Sequence, residues 1–269
     1  EADAVSVGRI IYASGEVWVE RGNVREAAES GRRLLRNDVV VTGERGRAKL
    51  AMVDGTRVYV GSRSRIEVAD YATSGRNLLS GMFNMFWGKA RFFVNKLVAQ
   101  NASFRVRTAT AVLGVRGTSF VVNVPMPPQL EGKESFTMSF DEFARLFPMP
   151  VEVVQDTGRL QVLLPSGRSV ELLPGRTAEI GKDGSIRIHR SPKGGGLSVP
   201  LVLNEAGKPE GAVPLPPVPG AGHPFRGGAG GALGRGRGSA SNIGTAITNA
   251  KQNLGVTTNV TIKPRFVLP

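Results

Sequence analysis

Residues 108–122 read Thr-Ala-Thr-Ala-Val-Leu-Gly-Val-Arg-Gly-Thr-Ser-Phe-Val-Val. The run is largely apolar and β-branched, which is typical of strands buried on both faces. Gly114 and Gly117 interrupt it three residues apart, and glycines within a strand pattern indicate a bend or a bulge. The stretch therefore predicts buried β-strands that change direction around Arg116.

Short alternating segments precede this run. Residues 16–20 and 47–53 alternate polar and apolar side chains, and residues 56–60 are rich in β-branched residues. Asp54-Gly55 separates the last two segments and tolerates the positive φ angles of a tight turn, so the pattern predicts a β-hairpin there. With glycines at short intervals, this organisation predicts a β domain over residues 1–124, either a sandwich, a barrel or a roll.

Three segments of the chain depart from simple alternation. Residues 24–30 are expected to form a helical turn or two, and residues 78–97 to form two strands around Gly88. Residues 125–150 read as an insertion that prolines open and close. Within it, Ser139 is positioned to cap a short helix, with Glu142 completing a capping box.

Strand patterns resume over residues 151–190, which we interpret as a continuation of the β domain that ends in a hairpin across Asp183-Gly184. Beyond it, residues 191–241 have the Pro/Gly-rich composition of a linker. Residues 242–269 read as a helix–strand arm, with a β-branched segment at residues 256–262. A strand beyond a flexible tether needs a pairing partner in its own domain or on another subunit.

The motif residues resemble the FecR family. The similarity lies in a Thr-x-Thr-Ala run that leads into Gly-Val-Arg-Gly-Thr-x-Phe, here carried by Thr108, Thr110, Gly114, Arg116, Gly117, Thr118 and Phe120. Weaker similarities extend it over about residues 8–190. The resemblance implies an extracytoplasmic, mainly β, elongated antiparallel sandwich or roll, here followed by a Pro/Gly-rich C-terminal arm. Well-known members relay signals from outer-membrane iron-siderophore receptors to a cytoplasmic sigma factor, through a membrane helix and a cytoplasmic segment that this sequence does not contain.

Composition narrows the classes of function. The sequence has no cysteine, which excludes disulfides and thiolate chemistry. Its two histidines, His189 and His223, lie in no catalytic motif, and no spacing of metal ligands is evident. We therefore expect a non-enzymatic protein without a cofactor. No apolar run is long enough for a membrane helix, and a start at Glu1 is most simply interpreted as removal of a signal segment, hence a secreted or periplasmic location.

Basic charge dominates the first part of the chain and its end. The formal net charge is +13; residues 1–125 carry 19 Lys and Arg against 11 Asp and Glu, and residues 191–269 carry 8 against 2. This favours anionic partners such as an acidic envelope polymer or an acidic protein. Arginines in residues 32–65 are compatible with a basic face, but no aromatic stacking motif accompanies them, so nucleic acid is not favoured.

Two sets of residues are candidates for binding. Arg116 either contacts a ligand or satisfies backbone carbonyls or a carboxylate at a strand corner. Phe140, Phe143 and Phe147 are expected to cover the β core, with docking of a partner as the alternative. Val256, Val260 and Ile262 are candidates for docking a partner.

Three functions remain open from the sequence. The first is protein–protein interaction or self-assembly, including a filament-type surface subunit joined by its C-terminal strand. The second is a periplasmic sensor module in envelope or iron-uptake signalling, which the family resemblance implies. The third is a module that binds cell-wall polymer or polysaccharide through its basic charge.

Overall fold

The computed structural model describes residues 5–97, 101–132 and 136–191. Strands make up 55% of these residues and helices 6%, which confirms the mainly β fold that the sequence predicts. The linker predicted for residues 191–241 and the arm predicted for residues 242–269 lie, apart from Ser191, outside the described residues, and so do Val256, Val260 and Ile262. Within the described ranges, no helix is long and apolar enough to cross a membrane.

The described strands fall on both sides of one long central strand, β9 (Asn77–Phe93). Those before it are β1 (Gly8–Ser14), β2 (Val17–Arg21), β3 (Val24–Ala27), β4 (Arg33–Leu34), β5 (Val39–Thr42), β6 (Arg47–Met52), β7 (Arg57–Val60) and β8 (Ser64–Ser74). Those after it are β10 (Ser103–Arg107), β11 (Val112–Val115), β12 (Ser119–Val124), β13 (Val151–Thr157), β14 (Leu160–Leu163), β15 (Ser169–Leu172), β16 (Arg176–Ile180) and β17 (Ile186–Arg190). Between β12 and β13 lie a 3₁₀ turn, Pro128–Leu130, and helix α1, Phe140–Leu146.

Hydrogen bonding arranges these strands in two layers that share β9. The first layer has the order β4-β1-β6-β7-β9-β12-β13-β16-β17. The second has the order β3-β2-β5-β8-β9-β10-β11-β14-β15. Among these pairings, β9 and β10 are parallel and the others are antiparallel. The predicted hairpins across Asp54-Gly55 and Asp183-Gly184 are confirmed as β6–β7 and β16–β17.

The expectation of two strands around Gly88 is wrong, because β9 is continuous through this residue. Its first part pairs with β8, and its last part pairs with β7 and β12. Gly88 has a φ of +100°, and a Cβ there would collide with Ser64. The Ser64 hydroxyl also accepts a hydrogen bond from the Lys89 amide at 3.0 Å. A glycine at this crowded corner lets one strand leave the second layer and enter the first.

The core lies between the layers and is built around aromatic rings. Phe83 and Phe92 come from the two parts of β9, Phe104 from β10 and Phe120 from β12, and none is more than 1% exposed. Phe92 stacks on Phe120 with ring centroids 5.1 Å apart and meets Phe83 edge-on at 5.6 Å. Since such pairs add to the burial of apolar area, these four rings join both layers at the point where β9 changes sides.

The segment after β2 forms a strand, so the helical turns expected for residues 24–30 are wrong. Strand β3 pairs antiparallel with β2, from Trp18 opposite Ala27 to Arg21 opposite Val24. Gly22, with a φ of +57°, provides the turn between them. All four β3 residues are exposed, so its apolar pattern is weak and its conformation depends on pairing with the neighbouring strand.

Helix α1 begins as the sequence predicts. The Ser139 hydroxyl accepts a hydrogen bond from the Glu142 amide at 3.3 Å, which satisfies one of the free donors of the first turn. Phe140 and Phe143 project from this helix onto Phe86 and Trp87 of β9. The segment between β12 and β13 therefore packs over the outer side of the second layer.

Candidate partner-binding groove

The two threonines that begin the motif have structural roles. The Thr108 hydroxyl donates a hydrogen bond to the Ala111 carbonyl and accepts one from the Ala111 amide, both at 3.1 Å. It thereby closes the turn between β10 and β11. The Thr110 hydroxyl donates to the Met149 carbonyl at 2.9 Å and so fixes the end of the inserted segment against this turn.

The residues at the end of the motif also maintain the fold. Gly117 has a φ of +71°, and a Cβ there would lie 2.7 Å from the Cα of Lys96. The Thr118 hydroxyl accepts a hydrogen bond from Gln155 Nε2 at 2.6 Å and donates one to the Thr157 carbonyl. Phe120 is a core ring with no exposed surface. These residues turn the chain from β11 into β12.

Gly114 and Arg116 differ from the rest of the motif. Gly114 is not among the glycines with positive φ, and a Cβ there would approach nothing closer than 3.8 Å. Neither backbone conformation nor packing requires a glycine at this position. Arg116 is exposed, and its side chain has no hydrogen bond or ion pair with any described residue. The carbonyl contacts considered for Arg116 are therefore not made within the described part of the chain.

These two residues line a groove on the outer face of the second layer. Arg105, Gly114, Gln161 and Glu171 lie side by side across β10, β11, β14 and β15. The groove has a volume of about 440 Å³, and Ser103, Arg116 and Arg159 line it as well. Because Gly114 has no side chain, the middle of the groove stays open between the side chains of Arg105 and Gln161.

The groove carries an excess of positive charge. Three arginines face one carboxylate, Glu171, and Arg159 Nε lies 3.8 Å from Glu171 Oε1. Both side chains of that pair are exposed, so the pair contributes little to stability. Arg105 and Arg116 keep their donors free of described partners. Guanidinium groups of this kind bind carboxylates or phosphates through paired hydrogen bonds.

A second concave region, of about 470 Å³, lies where β13, β16 and β17 meet. Glu152 and Glu179 face each other across β13 and β16. Glu179 is 3.9 Å from Arg187 and 3.2 Å from His189 Nε2, so basic groups already surround this carboxylate. Among the described residues, no group of three or more acidic or histidine side chains could hold a metal ion. His223 lies outside the described residues.

The aromatic residues of the insertion cover the β domain. Phe143 has no exposed surface and Phe140 is 5% exposed, whereas Phe147 is half-buried. The first two are buried against β9, where they cover the sheet. A docking role for Phe147 stays a prediction.

No pattern in the sequence indicates that Arg65 is buried in the same region. It is 5% exposed, its guanidinium lies 4.7 Å from the Phe136 ring and 5.4 Å from the Phe86 ring, and it pairs with Glu20 at 2.5 Å. An arginine in an alternating strand is ordinarily solvated. Only the covering aromatic residues, far away in the sequence, make it an internal residue with cation–π contacts.

Ion pairs break up the basic face that the arginines of residues 32–65 suggested. In addition to Arg65, three of these arginines have carboxylate partners: Arg32 with Glu26, Arg36 with Asp70 and Arg63 with Glu44. In the last pair, the guanidinium holds the pKa of the exposed Glu44 carboxyl below its usual value. These pairs neutralise part of the positive charge that the sequence places in this range.

Taken together, the two layers, the motif turn and the groove define a FecR-like β domain. The family model described as FecR protein matches residues 38–131, a range that contains the whole motif, so the resemblance is confirmed for that range. Two crystal structures of a proposed anti-sigma factor from Parabacteroides distasonis ATCC 8503, at 1.65 and 2.50 Å resolution, share 21% sequence identity with this chain at a TM-score of 0.42. The similarity covers 57% of this chain and 59% of theirs. No curated protein matches the sequence.

Proposed function

We propose that this chain is a non-enzymatic recognition module of envelope signalling, which binds a protein partner through the groove beside Gly114. The carrying observation is that Gly114 and Arg116, alone in the motif, have no role in holding the fold. A glycine that packing does not require and an arginine without a described partner are suited to contact with another molecule.

The family match supports the class of function. FecR domains are extracytoplasmic sensing parts, and the family is regulatory rather than catalytic. On this basis we place the module in the periplasm or outside the cell. We also propose that residues 1–124 and 151–190 form one β domain, with residues 125–150 inserted, residues 191–241 as a linker and residues 242–269 as an arm.

Site-specific crosslinking in the native host tests this function. A photoreactive amino acid replaces Arg159, an exposed residue that lines the groove, in the full chain. The matched control carries it at Arg45, an exposed arginine in the turn between β5 and β6. We expect position 159 to yield a discrete adduct with one envelope protein and position 45 not to yield it. If both positions give the same adducts, or position 159 gives none, the proposed function is wrong.

A second candidate function is self-association through open strand edges. Among the described strands, none pairs with the outer side of β15 or β17. Ile188 on β17 is 40% exposed, and an exposed edge with an apolar side chain can pair with another chain. In this proposal copies join into open assemblies, with the C-terminal strand as the joining element.

Light scattering tests this second candidate. Assemblies of the full chain that revert to monomers in Ile188→Lys, or after removal of residues 192–269, support it. The outward-facing Arg187→Lys on the same strand is the control and should keep the assembly size. A monomeric full chain at high concentration contradicts self-association.

A further inference from the structure

We propose that the groove beside Gly114 binds an extended acidic peptide segment of the partner, with two carboxylates placed two residues apart. This inference rests on the proposed function and specifies the chemistry of its ligand. It depends on where the two arginines lie, on the missing side chain of Gly114 beside them and on what else lines the groove.

The two arginines lie on one face at a defined spacing. Along β10 the residues on either side of Arg105 are buried while Arg105 is exposed, and at the end of β11 Val115 is buried while Arg116 is exposed. Arg105 lies directly opposite Gly114, and Arg116 follows Gly114 by two residues. The two arginines therefore lie diagonally across the antiparallel pair, where such positions are about 7–8 Å apart. Carboxylates at alternate positions of an extended peptide are about 6.6–6.8 Å apart, and the length of the arginine side chains lets each guanidinium reach one of them.

Both guanidinium groups are available for such a ligand. Neither Arg105 nor Arg116 has a hydrogen bond or ion pair with a described residue. By contrast, Arg107, two residues further along β10, pairs with Asp141 at 2.5 Å and lies 4.9 Å from the Phe140 ring. Of the two β10 arginines, only Arg105, next to Gly114, therefore keeps its hydrogen-bond donors without a described partner.

The missing side chain at Gly114 provides the space for the ligand. Its neighbours across the sheet are Arg105 on one side and Gln161 on the other. A Cβ would meet the Gln161 Cβ and carbonyl oxygen only at 3.8 Å, so a larger residue would fit the fold but fill the groove. Because there is no side chain here, a ligand can come close to the sheet backbone beside the two arginines.

The remaining lining favours a peptide over a polymer or a nucleic acid. Ser103 and Gln161 offer hydrogen-bond partners for peptide amides. Glu171, beside Arg159, places a negative charge at the far side, which opposes a ligand with a continuous run of charge. Phe104 is the aromatic residue among the described lining residues and is 1% exposed, so the groove presents no ring for bases to stack on.

Fluorescence anisotropy with the full chain tests the inference. The probe is a labelled six-residue peptide, Thr-Glu-Thr-Glu-Thr-Thr, with blocked ends. One comparison peptide has both glutamates replaced by glutamine, and the other places them next to each other. We expect the probe to bind at least tenfold more tightly than the glutamine peptide and several-fold more tightly than the peptide with adjacent glutamates.

Protein variants then locate the binding site. Arg105→Gln and Arg116→Gln each remove one guanidinium, and Gly114→Val fills the groove with a residue that strands favour. Each should weaken probe binding at least tenfold, whereas Arg45→Gln, with the same loss of charge outside the groove, should change it less than twofold. If Gly114→Val fails to fold, the exposed Arg116→Gln decides the question, with circular dichroism to verify its fold.

The outcomes separate this inference from the proposed function. Equal binding of the acidic and glutamine peptides, or an unchanged affinity in Arg116→Gln, overturns the acidic-peptide ligand even where crosslinking at position 159 supports a protein partner. Tighter binding of an acidic polysaccharide or of anionic lipid vesicles, lost in Arg116→Gln, also overturns it, because the groove would then bind another class of ligand.

Discussion

Gly114 and Gly117 stand three residues apart and meet different structural demands. Gly117 combines a positive φ with a Cβ position 2.7 Å from the Lys96 backbone, so a side chain there is strained by its own backbone and by its neighbour. Gly114 has an ordinary strand conformation and open space. The motif thus contains one glycine that the fold needs and one that it does not.

Alanine substitution at these two positions should have opposite effects on stability. Gly117→Ala is expected to lower the free energy of unfolding by about 1–3 kcal/mol. Gly114→Ala should leave it unchanged or raise it by up to about 1 kcal/mol, because glycine within a strand is the less favourable residue. Urea titrations followed by tryptophan fluorescence measure both. A larger loss at Gly114 than at Gly117 would contradict the assignment of structural need.

Titration of Tyr71 is expected to make the stability of the domain depend on pH. Its hydroxyl donates to Asp54 Oδ1 at 2.6 Å, and burial, followed by the negative charge of Asp54, raises the pKa of Tyr71 well above its ordinary value. In the unfolded chain the phenol titrates near pH 10. Above that pH the unfolded state binds fewer protons than the native state at this residue, so stability falls as pH rises.

The Tyr71→Phe variant should therefore lose stability less steeply between pH 9 and 11 than the wild type. The difference in slope attributable to Tyr71 is at most about 1.4 kcal/mol per pH unit. At pH 7 the variant should be less stable, because the hydrogen bond to Asp54 is lost. Urea unfolding at several pH values measures both effects, and identical slopes above pH 10 would show that Tyr71 does not carry this dependence.

Among the elements, α1 depends most clearly on packing. It has seven residues, too few for a stable isolated helix, and the Ser139 cap satisfies only part of its first turn. Phe143 packs against Phe86 with ring centroids 5.1 Å apart and against Trp87 at 5.8 Å. The helix is therefore held by the aromatic surface of β9, and its cap mainly determines where it begins.

Truncation of a side chain of α1 should lower the stability of the protein strongly at Phe143 and little at Leu146. Phe143→Ala is expected to destabilise the protein by about 3–5 kcal/mol, through lost burial and the cavity that remains. Leu146→Ala on the same helix should cost little, because Leu146 is 51% exposed. Thermal melts of the two variants test this contrast. An unchanged or raised stability in both would mean that helix propensity, which favours alanine, rather than packing on β9, controls α1.

Local signals in the sequence were sufficient for some elements and not for others. The hairpin at Asp54-Gly55 and the helix start at Ser139 follow from turn and capping chemistry within a few residues, and both were predicted. The continuity of β9 through Gly88 and the strand β3 follow from pairing with other strands, which no local pattern encodes. In the groove, Arg116 was identified from the motif, whereas Arg105, Arg159 and Gln161 were not, because only the register of β10, β11 and β14 brings them beside Gly114.

At the scale of the whole molecule, the net charge of +13 attracts acidic partners without regard to position. Long-range contacts instead create sites that bind at one place on the surface; an example is the hydrogen bond that Arg65 donates to the Phe136 carbonyl, 71 positions away in the sequence. Binding of an acidic envelope polymer would rest on the net charge. Binding of the acidic peptide would rest on the groove.

Two measurements on the same variants separate these interactions. The salt concentration that elutes the protein from a sulfonated column depends on total charge and on screening, so Arg116→Gln and Arg45→Gln should elute equally early compared with the wild type. Affinity for the Glu-x-Glu peptide depends on the groove, so only Arg116→Gln should reduce it, by at least tenfold. If both variants instead lose affinity and retention in parallel, the attraction is a property of the net charge and the groove contributes no selectivity. If only Arg116→Gln loses affinity, selectivity arises from two free guanidinium groups beside a glycine, within a field that the rest of the chain supplies.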